Sequence, residues 1–219
     1  MKITCDNVSK VIKKTTVLKE INLELEPGKI YGLWGKNGCG KTMLLRILSG
    51  LIRPTSGQVL VDGEILGKQR SFPDRMGLMI EQPSFLSGYT GMQNLKLLAG
   101  IRGEISEREI AEALERAGLD PGDRRTYRKY SLGMQQRLGI ACAIMEKPEL
   151  LLLDEPINAL DVNGVELVRT ILREEREKGT LIVVSCHDAG EMEALADVVF
   201  LMRDGKIEEK REMGGEALC

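Results

Sequence analysis

The sequence predicts an α/β fold with a mixed core sheet, an antiparallel β-subdomain at its N-terminal end and an inserted α-helical subdomain. Three observations predict it. Residues 16–25 alternate as a half-buried strand does, a glycine-rich segment at 35–42 joins a strand to a helix, and strands alternate with helices after residue 148. We expect a single domain, in which 1–82 and 148–219 form the core with its β-subdomain and 83–147 forms the helical subdomain.

The N-terminal part carries most of the strand signals. In 16–25 the alternation places Val17, Lys19 and Ile21 on one face of a predicted strand. Turn residues at 26–28 end this strand. The elements predicted after it are a strand at 29–34, a helix at 43–48 and a strand at 58–63.

The periodicity becomes helical from residue 83 onwards. The best-defined helix begins at Ser106, with Glu109 three positions later in the spacing of a capping box, and Gly118 ends it. The other predicted elements are helices at 92–99 and 133–145, strands at 150–153, 181–185 and 198–202, and helices after Asp161 and Asp188. The strand–helix alternation after residue 148 predicts a parallel sheet with helices on its faces.

Composition excludes several classes of protein. With 42% hydrophobic and 29% charged residues and a net charge of −2, the chain looks like an ordinary globular protein without the basic footprint of a nucleic-acid-binding protein. No apolar run approaches the roughly 18 residues of a membrane-spanning helix, and the first six residues lack the apolar core of a signal peptide. The five cysteines form no C-x-x-C pair. We therefore expect a cytoplasmic protein with reduced thiols.

The segment at 35–42 is the most informative part of the chain. It fits G-x-x-x-x-G-K-[ST], the phosphate-binding P-loop, and it stands between a predicted strand and a predicted helix, as that motif requires. Backbone N–H groups and the helix N-terminus would face the phosphates, Lys41 would reach the β- and γ-phosphates, and Thr42 would ligate Mg²⁺. The predicted nucleotide contacts here are Gly35, Lys36, Asn37, Gly38, Cys39, Gly40, Lys41, Thr42 and Met43.

Polar residues follow two of the later strands. The apolar run 150–153 is typical of a strand buried on both faces, and Asp154 and Glu155 follow it at the edge where α/β sheets bind ligands. Asp154 suits a role on Mg²⁺, and Glu155 suits the positioning of an attacking water. His187, the only histidine, follows the strand at 181–185, and we expect it to contact the γ-phosphate.

The order of these motifs resembles that of the ATP-binding subunits of ABC transporters over essentially the whole chain, and so implies a P-loop NTPase of the ABC ATPase type. The P-loop is followed by Ser-Leu-Gly-Met-Gln-Gln-Arg at 131–137, Leu-Asp-Glu-Pro at 153–156, Ala-Leu-Asp at 159–161 and then His187. The Ser-Leu-Gly-Met form, where the family norm is Ser-Gly-Gly-Gln, is similar to that of the bacitracin and lantibiotic export or immunity branch.

The resemblance implies an arrangement of two chains. ATP with Mg²⁺ would lie between this chain and a second copy, or a homologous ATPase subunit, whose Ser131 and Gly133 contact the γ-phosphate from a helix N-terminus. Asp161 would lie at that dimer interface. Catalysis would use Glu155, His187 and Lys41, so that the chain is an ATPase.

Other implied positions depart from the family pattern. Ile12 stands where an aromatic residue usually stacks on adenine, and Val17 is a further predicted nucleotide contact. Either Glu81 or Gln82 would fill the place of the loop glutamine at Mg²⁺.

The resemblance also implies a location and a membrane partner. A separate integral membrane permease would dock near Phe85 and Tyr89. The chain would then lie on the inner face of the cell membrane as a peripheral subunit, and the branch favours export of a peptide antibiotic.

Two other functions fit part of the pattern. A non-transport ATPase of the same superfamily would act on ribosomes or DNA, but the chain has no sustained heptads and carries one such domain. A small-molecule P-loop kinase would need an arginine-rich lid, for which Arg124, Arg125 and Arg128 are candidates, yet it leaves the segment at 131–137 unexplained. A GTPase is disfavoured because no Asn-Lys-x-Asp segment is present.

Overall fold

The computed structural model describes residues 1–213, which form two β-sheets and a set of helices. The strands are β1 (Ile3–Ile12), β2 (Thr15–Leu25), β3 (Ile30–Trp34), β4 (Ser56–Val61), β5 (Glu64–Ile65), β6 (Met76–Met79), β7 (Leu150–Asp154), β8 (Leu181–Cys186), β9 (Val198–Arg203) and β10 (Lys206–Glu212). The α-helices are α1 (Lys41–Leu48), α2 (Gly91–Arg102), α3 (Glu107–Arg116), α4 (Leu132–Ile144), α5 (Val162–Glu177) and α6 (Ala189–Leu195), and a 3₁₀ turn spans Tyr127–Lys129.

The larger sheet is mixed, as the sequence predicted. Its strand order is β10-β9-β3-β8-β7-β6, and all neighbours are parallel except the β9–β10 hairpin at one edge. The smaller sheet, β2-β1-β4-β5, is antiparallel throughout. The two sheets meet where the backbone N–H of Lys19 donates to the carbonyl of Gly205 at 2.8 Å.

Two hydrophobic clusters lie on opposite faces of the larger sheet. Alternate residues of β7 divide between them, with Leu151 and Leu153 in the cluster that includes α3, α4 and α5, and Leu150 and Leu152 in the cluster that includes α1 and the smaller sheet. Burial on both faces explains why β7 is a continuous apolar run rather than an alternating one. The strand is thereby held firmly under the carboxylates at its end.

The predicted face of β2 is wrong at its N-terminal half. Leu18 is buried, whereas Val17 and Lys19 are only partly buried, because an extra residue interrupts the pairing with β1. The bulge lies at Glu20, whose φ of 51° is left-handed, and it moves every earlier side chain to the opposite face.

The structure confirms one predicted helix start and adds a second capping box and a strand that were not predicted. The capping box at Ser106 and Glu109 is present at the start of α3, as predicted, and a second one joins Thr90 and Gln93 at the start of α2. The sequence analysis assigned no strand to Met76–Met79, yet β6 forms the edge of the larger sheet by pairing with β7. This pairing places Glu81 and Gln82 just beyond the end of a sheet strand.

Candidate nucleotide site

Three neighbouring parallel strands deliver the predicted site residues to one edge of the sheet. β3 ends at Trp34 beside Cys186 of β8, and Asp154 of β7 pairs with Ser185. Because the carboxyl ends of parallel strands coincide, the P-loop that follows β3 meets the residues that follow β7 and β8.

Lys41, at the end of the phosphate loop, forms a hydrogen bond back to the first residue of the loop. The buried Lys41 Nζ donates to the carbonyl of Gly35 at 2.6 Å and lies 3.6 Å from Glu155 Oε1. Gly40, with φ of 112°, precedes the first residue of α1, and a Cβ there would lie 2.7 Å from a methyl carbon of Leu18. The loop therefore needs glycine at this position, and it holds a cation where a phosphate would bind.

A hydroxyl–carboxylate network stands at the first residues of α1. Thr42 Oγ1 donates to Asp154 Oδ2 at 2.7 Å, and Ser185 Oγ donates to Asp154 Oδ1. Hydroxyl and carboxylate oxygens are the ligands that Mg²⁺ prefers, so Thr42 and the largely buried Asp154 fit such an ion. Ser185 was missed by the sequence analysis, because only the register between β7 and β8 places it here.

Glu155 is held by both its backbone and its side chain. Its N–H donates to Ser185 Oγ at 3.0 Å, and its carbonyl accepts from Gln136 Nε2 at 3.0 Å. Its carboxylate lies 2.8 Å from His187 Nδ1. Glu155 has a backbone φ of 49°, which residues other than glycine seldom adopt. Residues in such conformations cluster at functional sites. The structure thus brings all three predicted catalytic residues, Lys41, Glu155 and His187, together.

Glu81 lies at the mouth of this network. It forms an ion pair with Arg46 of α1 at 2.6 Å and lines a cavity of about 390 Å³ together with Val17, Thr42, Met43 and Asp154. Gln82 lines a neighbouring cavity of about 280 Å³, into which Glu81, Asp154 and Glu155 also face. Both candidates for the loop glutamine are therefore near the carboxylates, and Arg46 is a partner that sequence reasoning missed.

The remaining predicted nucleotide contacts divide into two groups. Lys36, Asn37, Gly38 and Cys39 line a cleft of about 830 Å³ that is closed by His187 and the β9–β10 turn. Ile12 instead is the last residue of β1, next to the turn between β1 and β2, and is 38% exposed. It does not line any of the three cavities around the phosphate loop and the carboxylates.

Ser131, Gly133 and Asp161 lie together at two helix starts. Ser131 is the N-cap of α4, Asp161 is the N-cap of α5, and each side chain accepts a backbone N–H three residues on. A Cβ on Gly133 would lie 3.2 Å from the carbonyl of Ala159, just before Asp161. None of these three residues lines the two cavities that contain the phosphate-loop residues.

The two aromatic residues predicted to face a membrane partner have different surroundings. Phe85 packs edge-to-face on Tyr127 with ring centroids 5.4 Å apart, whereas Tyr89 is exposed. Among residues 1–213, no helix has the length and apolar character needed to cross a lipid bilayer.

Comparison with known proteins agrees with the site's geometry. The model of the ABC transporter family matches residues 18–158. The chain is 43% identical to the bacitracin transport ATP-binding protein BcrA of Enterococcus faecalis, across 95% of this chain and 68% of that protein. It is 36% identical to the lantibiotic transport ATP-binding protein SrtF of Streptococcus pyogenes, across 95% of this chain and 90% of that protein.

A solved structure extends the agreement to the fold. The dimeric ATP-binding cassette MJ0796, in a post-hydrolysis state bound to ADP and Pi, superimposes with a TM-score of 0.87 at 26% identity, across 97% of this chain and 99% of that one. The predicted resemblance and the predicted ATPase activity are therefore confirmed. The chain belongs to the ABC transporter family, as one of its ATP-binding, ATP-hydrolysing subunits.

Proposed function

We propose that this subunit hydrolyses ATP between two cassettes to drive export of a peptide antibiotic through a separate membrane-spanning subunit. The observation that carries the chemistry is the position of the Glu155 carboxylate, which lies 2.8 Å from His187 Nδ1 and 3.6 Å from Lys41 Nζ, next to the Thr42–Asp154 pair. The names of the relatives BcrA and SrtF support the substrate class.

Each residue of the site has its own role in the transfer of the γ-phosphoryl group to water. Glu155 orients the attacking water, and His187, held on the same carboxylate, contacts the γ-phosphate. Lys41 leaves the Gly35 carbonyl to pair with the β- and γ-phosphates, and Thr42 and Asp154 hold Mg²⁺. When bound, that ion neutralises the charge that develops on the phosphate oxygens.

A second cassette completes the site in this proposal. Ser131 and Gly133 lie at the start of α4 and do not line the cavities of the phosphate loop, so in this proposal they contact the nucleotide of a facing subunit. Residues at the N-terminus of a helix are suited to an anion. Asp161, beside them, then lies at the contact between the two cassettes. The dimer of MJ0796 supports this arrangement.

In this proposal the permease docks near Phe85 and Tyr89, on the segment that leads into α2. Leu86 and Tyr89 are exposed there, and Leu97 and Ile101 add exposed apolar side chains on α2. Apolar and aromatic residues of this kind are typical of the core of a protein–protein interface. A cassette bound in this way lies on the inner face of the cell membrane.

The catalytic part is tested by Glu155→Gln. We expect kcat for ATP hydrolysis to fall by about 100-fold or more, because an amide cannot accept a proton from water. Light scattering should then show a dimer with ATP and Mg²⁺ that persists in the variant and decays in the wild type. Glu149→Gln, on the exposed start of the same strand region, is the control. Wild-type turnover by Glu155→Gln would contradict the assignment.

The transport part is tested by purification of the tagged chain from detergent-solubilised native membranes. Mass spectrometry should find a stoichiometric multi-helix membrane protein, and strains lacking it should lose antibiotic tolerance. Recovery with ribosomes or DNA instead would favour a non-transport ATPase.

A further inference from the structure

Trp34 is the only tryptophan of the chain and the last residue of β3, directly before Gly35 of the phosphate loop. Its indole Nε1 donates to the main-chain carbonyl of His187 at 3.2 Å. The guanidinium of Arg211, on β10, lies over the ring at 6.0 Å from its centroid. No motif in the sequence accounts for this side chain, because the P-loop motif begins one residue later.

His187 lies between Cys186, the last residue of β8, and Asp188, the N-cap of α6. Its side chain is about half exposed, and among residues 1–213 its ring makes one hydrogen bond, with Glu155. The backbone beside it is held by the N–H of Asp188, which donates to Cys186 Sγ at 3.3 Å, and by the indole of Trp34. The direction of an exposed ring on a short segment after a strand depends mainly on its backbone, so the bond from Trp34 bears on the imidazole.

We propose that Trp34 is a positioning residue for hydrolysis, which acts by holding the backbone of His187 so that the imidazole meets Glu155. Trp34 is also covalently joined to Gly35, so a change in the phosphate loop on nucleotide binding reaches His187 through one side chain. This inference rests on the proposed role of His187.

Trp34→Phe separates this role from packing. Phenylalanine keeps a ring near Arg211, in the small pocket that Met192 and Val199 also line, but it removes the N–H donor. Tyr31→Phe is the matched control, since it removes one hydrogen bond from the same strand, where the Tyr31 hydroxyl accepts from the N–H of Glu26 at 2.8 Å. Circular dichroism should show that both variants fold.

The first readout uses the single histidine. In protein purified with a histidine-free tag, the imidazole proton signals in an NMR spectrum belong to His187 alone. Without nucleotide, we expect these signals to shift or broaden in Trp34→Phe and to stay unchanged in Tyr31→Phe. Unchanged signals in folded Trp34→Phe would overturn the proposal, and this result does not depend on ATP hydrolysis.

The second readout is a double-mutant cycle. We expect Trp34→Phe to lower kcat about 5- to 10-fold with KM for ATP changed less than about twofold, as the loss of one hydrogen bond predicts. In a His187→Ala background the same substitution should have no further effect. An equal loss in both backgrounds would show that Trp34 does not act through His187. A wild type that does not hydrolyse ATP would instead count against the proposed function, and the NMR result would still decide the role of Trp34.

Discussion

At the residue scale, the site depends on a carboxylate in an unfavourable backbone conformation. A left-handed φ at Glu155 costs about 1–3 kcal/mol, and such a residue persists only where its surroundings hold it. Ser185 and Gln136 provide that restraint by bonding its N–H and its carbonyl. The carboxylate is thereby directed towards His187 and Lys41.

The restraint can be tested with Ser185→Ala. This change removes the donor to Asp154 and the acceptor for the Glu155 N–H, so we expect a stability loss of about 1–3 kcal/mol and a kcat roughly 10- to 100-fold lower, with a higher Mg²⁺ requirement. Thr180→Val is the control: its hydroxyl is also buried and bonds the carbonyl of Pro148 at the other end of β8. Equal turnover in both variants would refute the expectation.

The thiol inside the phosphate loop offers a second residue-scale test. Cys39 is buried, with 8% of its surface exposed, but it lines the large cleft. Burial raises the pKa of Cys5 to about 12, that of Cys142 to about 11 and also that of Cys186, which makes these three thiols poor nucleophiles. We expect maleimide to abolish nucleotide binding, MgATP to protect, and Cys39→Ala to be resistant. A Cys219→Ser background removes the cysteine that lies outside the described residues. Normal binding by protein alkylated at Cys39 would disprove the prediction.

At the element scale, α3 is held by contacts at its N-terminus. Ser106 and Glu109 form the capping box. The Glu109 carboxylate also forms an ion pair with Lys147, in the segment that follows α4, with Oε1 and Nζ 2.6 Å apart. The hydrogen bond from Lys147, and then those from Ser106, lower the pKa of Glu109 from 4.5 to about 2. One carboxylate therefore fixes both the start of α3 and its distance from α4.

This lowered pKa predicts an acid-dependent stability. The contribution of Glu109 should be complete above its unfolded pKa of 4.5 and should be lost as the pH falls towards 2. The difference in Tm between the wild type and Glu109→Gln should therefore be largest near neutral pH and shrink on acidification. Glu112→Gln, which loses only an exposed pair with Arg108, serves as the comparison. A difference that is constant with pH would count against this account.

The elements could be predicted where local signals were sufficient. The capping box, the apolar run of β7 and the glycine loop are determined by neighbouring residues, so the sequence alone indicates them. β6 could not be found in this way, because four residues form a strand there only by pairing with β7. The bulge at Glu20 was missed because alternation says nothing about a left-handed glutamate. Ser185 became visible only once the register of β7 and β8 was known, and Arg46 and Trp34 only once contacts between distant segments were known.

At the scale of the whole molecule, the larger sheet separates two hydrophobic clusters and carries the site at the carboxyl ends of β3, β7 and β8. The helical layer is attached to it by close packing of α4 on β6, and by Arg116 of α3, which bonds Glu174 and the buried Glu175 of α5. These contacts determine how Ser131 is presented relative to the phosphate loop.

Gly77→Ala tests the attachment of the helical layer. A Cβ at Gly77 would lie 2.0 Å from the backbone carbonyl of Ala143 on α4, so strand and helix must separate. We expect a loss of about 1–3 kcal/mol, or several degrees in Tm, together with weaker cassette dimerisation. Gly100→Ala, in open space on α2, should instead stabilise the protein by about 0.5–1 kcal/mol. Unchanged stability in Gly77→Ala would contradict the packing described here.

The hydrogen bond from Gln136 to the main chain of Glu155 connects the helical subdomain to the residue that orients the attacking water. Gln136 belongs to α4, so we expect a displacement of the helical subdomain to move the main chain of Glu155. Lys41 and Thr42 are the first two residues of α1, outside the helical subdomain. We therefore expect a movement of α4 to change the rate of ATP hydrolysis more than the binding of ATP.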